Sequence, residues 1–237
     1  MKPVNHLGRL RMGRVPYVVG TITSAASLKA FAGQRVEACD IIEVRLDQIG
    51  QTADWLSLSA EIENSGTPVI LTTRVRSEGG KWPDDDKSRL FVIREGLAQV
   101  SAVDVEFKSD LMAQVCADAK ALKKAVIVSY HDFEKTPSFE ELKAIAMKAA
   151  KHGTIVKIST MVKGDQDIAT LEKLLDSGLD VPVCIIGMGA LGTKTRITFP
   201  AHGSCLTYGY LDTASAPGQL PAKMLNEHLG ALAGGAD

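Results

Sequence analysis

Lys157 is the residue whose type and setting in this sequence most directly suggest chemistry. It lies within the apolar run of residues 154–159, which is typical of a strand buried on both faces. An unpaired ammonium group is costly in such surroundings. A desolvated lysine is a candidate Schiff-base nucleophile, because burial and neighbouring cations favour the neutral amine that attacks carbonyl groups. The alternative is a lysine near a strand end whose ammonium group reaches solvent.

His131 is the second candidate for chemistry. It directly follows the apolar run of residues 125–130, which precedes the lysine-bearing run along the chain, and its strand parity matches that of Lys157. An imidazole whose pKa is near neutral can act as both a general acid and a general base. A hydrogen-bonded core histidine is the other interpretation, and the adjacent lysine strand makes it the weaker one.

Short apolar runs alternate with longer helical patterns along the chain, which indicates a parallel sheet built from strand–helix units. The predicted strands are residues 17–23, 40–46, 68–74, 102–107, 125–130, 154–159, 181–187 and 203–208. The predicted helices include residues 24–38, 54–65, 86–100, 138–152, 165–177 and 221–232. Eight such units in 237 residues favour an α/β fold of the (β/α)8 TIM-barrel type over an open doubly wound sheet. We expect one domain, residues 1–237, in which residues 1–15 form a cap.

The predicted strands have one apolar face and one charged face, because side chains alternate along a strand. In the second run, Ile42 and Val44 oppose Glu43 and Arg45. The same division places further polar side chains on one parity, namely Arg74, Asp104, Glu106, Ser129, His131 and Lys157. If the apolar faces meet the helices, the charged faces converge at the C-terminal mouth of the barrel, where barrel enzymes place their chemistry. Buried ion pairs are an inefficient source of stability, so a functional site is favoured over a structural salt-bridge network.

The bulk composition favours a small-molecule substrate. The net charge of −1 provides no basic surface for nucleic acid, and no run is long enough to span a membrane. Four widely spaced cysteines lack zinc-site spacing, so we expect reduced thiols and no metal. The basic and apolar start imitates a signal peptide, but Pro16 and Gly20 interrupt it. We therefore expect a cytoplasmic protein with neither a nucleic-acid nor a membrane partner.

Seven motifs, in order along the chain, carry a family resemblance. They are Glu43-Val-Arg45-Leu-Asp47, Arg74-Val-Arg-Ser-Glu78-Gly79-Gly80, Asp104-Val-Glu106, Ser129-Tyr-His131-Asp132-Phe133, Lys157 within its strand, Gly187-Met-Gly189 followed by Arg196, and Ser215-Ala-Pro-Gly-Gln219. Together they resemble type I 3-dehydroquinate dehydratase. The resemblance implies a (β/α)8 barrel, no cofactor, a homodimer and a carbon–oxygen lyase. That enzyme converts 3-dehydroquinate to 3-dehydroshikimate plus water, the third step of the shikimate pathway towards chorismate and the aromatic amino acids.

The resemblance also implies a role for each matched residue. Lys157 would form the imine, His131 would move protons, and Glu78 would orient the histidine. Arg196 would grip the substrate carboxylate through two parallel donors. The remaining residues implied to bind substrate are Glu43, Arg45, Arg74, Ser215 and Gln219, the last two in a lid after the eighth strand. Thr21 is the nearest counterpart of a serine that family members often have at the end of the first strand.

Two other functions remain open from the residues. A class I aldolase-like barrel also uses a strand lysine but cleaves a carbon–carbon bond, and a phosphate-binding loop near strands seven and eight would favour it. A non-catalytic barrel that binds a metabolite is the alternative from another class. Loss of Lys157 or His131 would favour it, and both residues are present.

Overall fold

The computed structural model describes residues 5–13, 15–83 and 85–234. Parts of the predicted cap, residues 1–4 and 14, lie outside the described residues. So do residues 84 and 235–237 of the predicted domain.

A parallel sheet of eight main strands forms the centre of the structure. Two short antiparallel strands, β1 (His6–Leu7) and β2 (Leu10–Arg11), precede it. The main strands are β3 (Tyr17–Ile22), β4 (Ile41–Arg45), β5 (Val69–Thr72), β6 (Ala102–Glu106), β7 (Ala125–Asp132), β8 (Ile155–Met161), β9 (Val183–Met188) and β10 (Leu206–Tyr210). A two-residue strand, β11 (Leu220–Pro221), pairs with the end of β10.

The sheet curls so that its last strand returns to its first. The strand order is β11-β10-β3-β4-β5-β6-β7-β8-β9, which places β9 and β10 at the seam. Hydrogen bonds across that seam include the Cys205 N–H donating to the Val183 carbonyl at 2.7 Å and the Cys184 thiol donating to the Leu206 carbonyl at 3.3 Å. The predicted (β/α)8 barrel is confirmed.

Helices follow the strands around the outside of the barrel. They are α1 (Ala25–Phe31), α2 (Leu46–Ile49), α3 (Trp55–Asn64), α4 (Asp86–Leu97), α5 (Met112–Ala121), α6 (Phe139–Ala149), α7 (Asp165–Leu175), α8 (Thr195–Ala201) and α9 (Ala222–Gly234), with a 3₁₀ helix at Arg76–Glu78. Local sequence fixes several starts. Ser138 and Glu141 form a reciprocal capping box on α6, and Ser24 caps α1.

One predicted helix is wrong at its C-terminal end. The prediction extended to residue 38, whereas α1 ends at Phe31. Gly33 lies two residues beyond that end with φ +68, a left-handed conformation that continues no right-handed helix and that glycine adopts without strain.

Alternating strand residues divide the interior into two apolar clusters. The outward cluster packs against the helices and includes Ile42, Val44, Val103, Val128 and Val156. The inward cluster fills the lower half of the barrel and includes Ile41, Ile70, Ala102, Ile127 and Ile155. Leu7 of β1 and Met12 join the inward cluster, so the hairpin closes this end of the barrel. The polar residues of the inward faces are thereby left towards the opposite, C-terminal end.

Within the described ranges, no helix is long and apolar enough to cross a membrane. The same ranges contain no group of three or more His, Cys, Asp or Glu side chains placed to hold a metal ion. All four cysteines are buried, free thiols.

Candidate active site

A single cavity brings together all nine site residues predicted from the sequence. Its empty space is about 500 Å³, a volume that includes open solvent at its mouth. The predicted residues that line it are Glu43, Arg45, Arg74, Glu78, His131, Lys157, Arg196, Ser215 and Gln219. Thr21, Gly79, Phe133, Ser159, Ile186, Met188, Tyr208 and Ala216 complete the lining.

The lysine is held inside the barrel and does not extend to solvent. Lys157 lies in the middle of β8 and its residue is 5% exposed. Its Nζ atom is 3.4 Å from Oδ2 of Asp104 and 4.0 Å from the centroid of the Tyr208 ring. The amine therefore faces the cavity between a carboxylate and an aromatic ring, and the solvent-reaching alternative is wrong.

His131 and Glu78 form a buried pair at the cavity wall. His131 lies near the end of β7, and Glu78 ends the 3₁₀ helix after β5. Oε2 of Glu78 lies 2.9 Å from Nδ1 of His131 and accepts the His131 backbone N–H at 3.0 Å. Phe133 packs beside the histidine, with ring centroids 6.4 Å apart. Gly79, at φ +77, lies under the Phe133 ring, where a Cβ would collide with it.

The electrostatics of this pair favour a neutral state for both partners. Burial, followed by Arg74, Lys157 and Arg45, lowers the pKa of His131 well below its usual 6.5. Burial also raises the pKa of Glu78 to about 7, although Arg74 opposes that shift. A neutral imidazole in the cavity can accept a proton at Nε2 once Glu78 is ionised and accepts the Nδ1–H.

Arg74 ties two neighbouring strands together. Its guanidinium donates to Asp104 at 2.6 Å, to Glu106 at 2.9 Å and to the Ser129 hydroxyl at 2.8 Å. Burial alone would raise the pKa of Asp104, but Arg74, Lys157 and the Ser129 hydroxyl outweigh it and hold that pKa below its usual value. This network keeps an anion fixed beside the lysine.

Glu43 and Arg45 extend the polar lining onto β4. Glu43 accepts hydrogen bonds from the Thr72 hydroxyl at 2.8 Å and the Thr21 hydroxyl at 3.2 Å. Arg45 forms two parallel bonds to Asp47, at 2.8 and 2.9 Å. Thr21 contacts Glu43 because β3 and β4 pair these residues in register, and the threonine lines the cavity.

Arg196 is a buried cation without a carboxylate partner among the described residues. It is 3% exposed, in α8. Its donors reach two backbone carbonyls, of Gly218 at 3.0 Å and of Tyr208 at 3.0 Å. Burial lowers the pKa of its guanidinium to about 10. A buried cation that lines a cavity and has no carboxylate partner is suited to bind an anion.

The segment of residues 215–219, here called the lid loop, is bonded across the mouth. Gln219 accepts the Ser215 N–H at 2.7 Å and donates to the Thr21 hydroxyl at 3.4 Å. Gly218, at φ +72, sits so close to the loop after β9 that a Cβ would lie 2.5 Å from the Gly189 carbonyl oxygen. Arg196 also donates a hydrogen bond to the Gly218 carbonyl of the lid loop, which connects the candidate anion site directly to that loop.

Sequence reasoning missed several lining residues. Ile186 and Met188 lie on the inward parity of β9, and Tyr208 on the inward face of β10. Strand parity was the signal that could have identified them. Residue type alone does not identify them, because most apolar and aromatic residues in a strand belong to the core.

Comparison with known proteins identifies the relatives of this chain. The model of the type I 3-dehydroquinase family matches residues 18–235. The chain belongs to the type I 3-dehydroquinase family. The 3-dehydroquinate dehydratase of Methanocella arvoryzae is 33% identical over 216 residues, which are 90% of this chain and 95% of the relative. That of Methanococcoides burtonii is 34% identical over 228 residues, covering 93% and 96%.

A solved structure of the family matches this chain. It is type I 3-dehydroquinate dehydratase from Clostridium difficile with covalently modified comenic acid. The TM-score is 0.87 and the identity 25%, with 100% of both chains covered. The family expected from the seven motifs is confirmed.

Proposed function

We propose that this chain dehydrates 3-dehydroquinate to 3-dehydroshikimate through a Schiff base on Lys157, with His131 moving the protons. The family and the names of its relatives support the hydro-lyase activity. One observation supports the mechanism above all. The cavity holds three complementary groups. The buried amine of Lys157 suits a ketone, and the neutral imidazole of His131 suits a transferable proton. The buried guanidinium of Arg196, which has no acid partner among the described residues, suits a carboxylate.

Imine formation is the first covalent step. The nitrogen lone pair of neutral Lys157 attacks the substrate carbonyl carbon, and the C=O electron pair moves to oxygen, which takes up a proton. Loss of water then leaves an iminium in which nitrogen carries one positive charge and one proton. That iminium withdraws electrons from the neighbouring carbon far more strongly than a ketone does.

His131 then acts as base and acid in turn. It removes the proton from the carbon next to the iminium, and the electron pair of that C–H bond forms an enamine. The enamine expels the hydroxyl on the next carbon, and the imidazolium returns the same proton so that the group leaves as water. Hydrolysis of the conjugated iminium releases product and regenerates Lys157, with no net proton consumed.

The remaining predicted residues hold the substrate. Arg196 binds its carboxylate, because its planar guanidinium is buried and otherwise bonded only to backbone carbonyls among the described residues. Glu43 accepts a hydrogen bond from a ring hydroxyl, while Arg45 and Arg74 order the charged wall. Ser215 and Gln219 close the lid loop over the substrate and exclude water.

The loop after β9 offers little support for the aldolase-like alternative. A phosphate site near β9 and β10 would use free backbone N–H groups. Here the Gly189 N–H already donates to the Pro217 carbonyl at 3.2 Å, and the Gly192 N–H donates to the Gly189 carbonyl at 3.1 Å. A carboxylate bound by Arg196 fits this loop better.

The wider organisation of the protein belongs to the same proposal. We infer one catalytic domain, residues 1–237, in which residues 1–15 cap the barrel. Packing of Leu7 and Met12 against the lower barrel core supports the cap. We further infer a cytoplasmic homodimer. The family resemblance favours the dimer, and the four free thiols fit a reducing compartment.

Product analysis tests the proposed reaction. The purified protein is incubated with 3-dehydroquinate, and the products are examined by mass spectrometry and ultraviolet absorbance. We expect one conjugated product that is lighter than the substrate by one water. Two carbon fragments would support the aldolase-like alternative, and unchanged substrate would support a non-catalytic binding protein.

A further inference from the structure

Two side chains that the proposed reaction leaves without a role contact the reactive nitrogen directly. Asp104 Oδ2 lies 3.4 Å from Nζ of Lys157, and the Tyr208 ring centroid lies 4.0 Å from the same atom. Both residues are almost fully buried, at 1% and 4% exposure. They come from β6 and β10, so the barrel fold itself places them around the amine.

The two oxygens of Asp104 are used differently. Oδ1 accepts from Arg74 at 2.6 Å and from the Ser129 hydroxyl at 2.7 Å, which fixes the carboxylate in place. Oδ2 has one bonding partner among the described residues, Nζ of Lys157. The carboxylate is therefore anchored through one oxygen and presents the other to the amine.

Tyr208 presents its ring, and not its hydroxyl, to the lysine. The ring face lies within the distance at which a desolvated cation is attracted to an aromatic quadrupole. The Tyr208 hydroxyl is buried and has no hydrogen-bond partner among the described residues. The contact with Lys157 is thus aromatic, which a phenylalanine could reproduce and an aliphatic side chain could not.

We propose that Asp104 and Tyr208 form a cradle for the cationic nitrogen of Lys157, in which Asp104 is the counter-ion of the iminium and the Tyr208 ring stabilises the same charge. This inference rests on the proposed function, because it concerns the Schiff base formed there. It assigns roles to two residues that the imine, proton-transfer and carboxylate-binding steps do not employ.

The charge changes of the reaction explain why such a cradle is useful. The imine nitrogen is positive before proton abstraction, neutral in the enamine, and positive again once the hydroxyl has left. Only the protonated imine is a strong electron sink, so a group that favours the iminium over the neutral imine enlarges the reactive fraction. A fixed anion and a π face within about 4 Å do this without donating or accepting any electron pair.

Other charged groups also act on this nitrogen, and the test must separate them from Asp104. Glu43, Arg45, Arg74, Glu78, His131 and Arg196 line the same cavity from β4 to β7 and α8, and Cys184 faces Lys157 from β9. Glu106 offers a matched control. It is a second buried carboxylate of β6 that bonds Arg74, at 2.9 Å, but it has no bond to Lys157.

The first arm of the test compares Asp104→Asn with Glu106→Gln in the full chain. Asparagine keeps an oxygen for Ser129 and Arg74 while removing the charge beside Nζ. Borohydride trapping with 3-dehydroquinate and the pH profile of kcat are measured for both variants. In Asp104→Asn we expect the alkaline limbs of adduct yield and of kcat to shift to lower pH by about 1 unit or more. An opposite charge at this range raises the pKa of a cation by about that amount. Glu106→Gln should move the limb less.

The second arm concerns the ring and does not disturb the Arg74 network. Tyr208→Leu should lower kcat about 10- to 30-fold and shift the alkaline limb in the same direction, because it removes the π face. Tyr208→Phe restores the ring and should recover the wild-type limb. If Asp104→Asn fails to fold, this pair of variants still decides the question.

The outcomes distinguish the inference from the function on which it rests. A wild-type protein that forms no borohydride adduct on Lys157 at any pH overturns both. An adduct in the wild type, together with an alkaline limb that Asp104→Asn and Tyr208→Leu leave in place, overturns the cradle alone. Equal shifts in Asp104→Asn and Glu106→Gln also overturn it, since the effect would then belong to the whole charged wall.

Discussion

Glu78 contacts His131 through one carboxylate oxygen and leaves the other unbonded. Oε2 lies 2.9 Å from Nδ1 and accepts the backbone N–H at 3.0 Å, whereas Oε1 is buried without a hydrogen-bond partner among the described residues. The pair therefore couples the protonation of Glu78 to the tautomer of the imidazole. A protonated Glu78 donates to Nδ1 and leaves the proton on Nε2, while an ionised Glu78 accepts from Nδ1–H and frees Nε2 as a base.

This coupling predicts the acid limb of catalysis. Burial raises the pKa of Glu78 to about 7 and lowers that of His131 well below 6.5, so ionisation of Glu78 controls when Nε2 becomes a base. The wild-type kcat/KM should fall below about pH 7. In Glu78→Gln, whose amide oxygen accepts from Nδ1–H at every pH, the limb should move below pH 6.5. An acid limb that the Gln variant leaves at its wild-type pH would contradict this account.

The same shift predicts how stability depends on pH. The pKa of Glu78 rises from 4.5 to about 7 on folding, so the folded state binds the proton more tightly. The contribution of protonated Glu78 to stability is thus fully present below pH 4.5 and is lost as the pH rises through about 7. Relative to Glu78→Gln, the wild-type free energy of unfolding should fall by about 3 kcal/mol over this window. Denaturant unfolding at several pH values measures it, and parallel curves would refute the prediction.

Substitution of Arg196 should weaken binding of the substrate carboxylate. Arg196→Lys and Arg196→Gln should both lower kcat/KM about 10- to 100-fold, mainly through KM, because a hydrogen-bonded ion pair is lost. Lysine cannot replace the guanidinium, which also bonds Gly218 and Tyr208. Lys194→Gln, at an exposed neighbouring cation, is the control and should have little effect. Full activity in Arg196→Lys would contradict the proposal that two parallel guanidinium donors bind the substrate carboxylate.

Docking of the lid loop should depend on a single glycine. In Gly218→Ala the new Cβ would meet the Gly189 carbonyl and the Thr193 hydroxyl, so the loop cannot close, and kcat should fall. Gly33→Ala is the matched control, because Gly33 has a similar φ of +68 but open space around it. Both variants should lose about 1 kcal/mol of stability from backbone strain. Equal kcat values would show that closure does not limit turnover.

Strand parity predicted most of the site, because alternate side chains of every strand in a barrel face the same interior. Glu43, Lys157 and His131 face one cavity since their strands are parallel and in register. The same register explains Thr21, whose distance from Glu43 along the sequence carries no information about their contact across β3 and β4. Periodicity therefore determines which face a residue occupies.

Parity could not predict individual partners. Parity places Tyr208 on the inward face of β10, but its contact with Lys157 arises only when β10 closes the barrel near β8 and β9. Likewise, side-chain geometry alone determines that Oδ1 of Asp104 bonds Arg74 while Oδ2 bonds Lys157. The early end of α1 is not evident from the sequence, because the apolar pattern continues past Gly33, whereas the chain leaves the helical conformation at Ala32, whose ψ is 137.

Covalent trapping at Lys157 tests the central claim most directly. The protein is treated with borohydride in the presence of 3-dehydroquinate, digested and mapped by peptide mass spectrometry, alongside Lys157→Ala and a Lys163→Ala control at an exposed lysine. We expect a reduced adduct on Lys157 with irreversible loss of activity in the wild type and in Lys163→Ala, and neither adduct nor turnover in Lys157→Ala. An unmodified Lys157, together with turnover that survives Lys157→Ala, would contradict it.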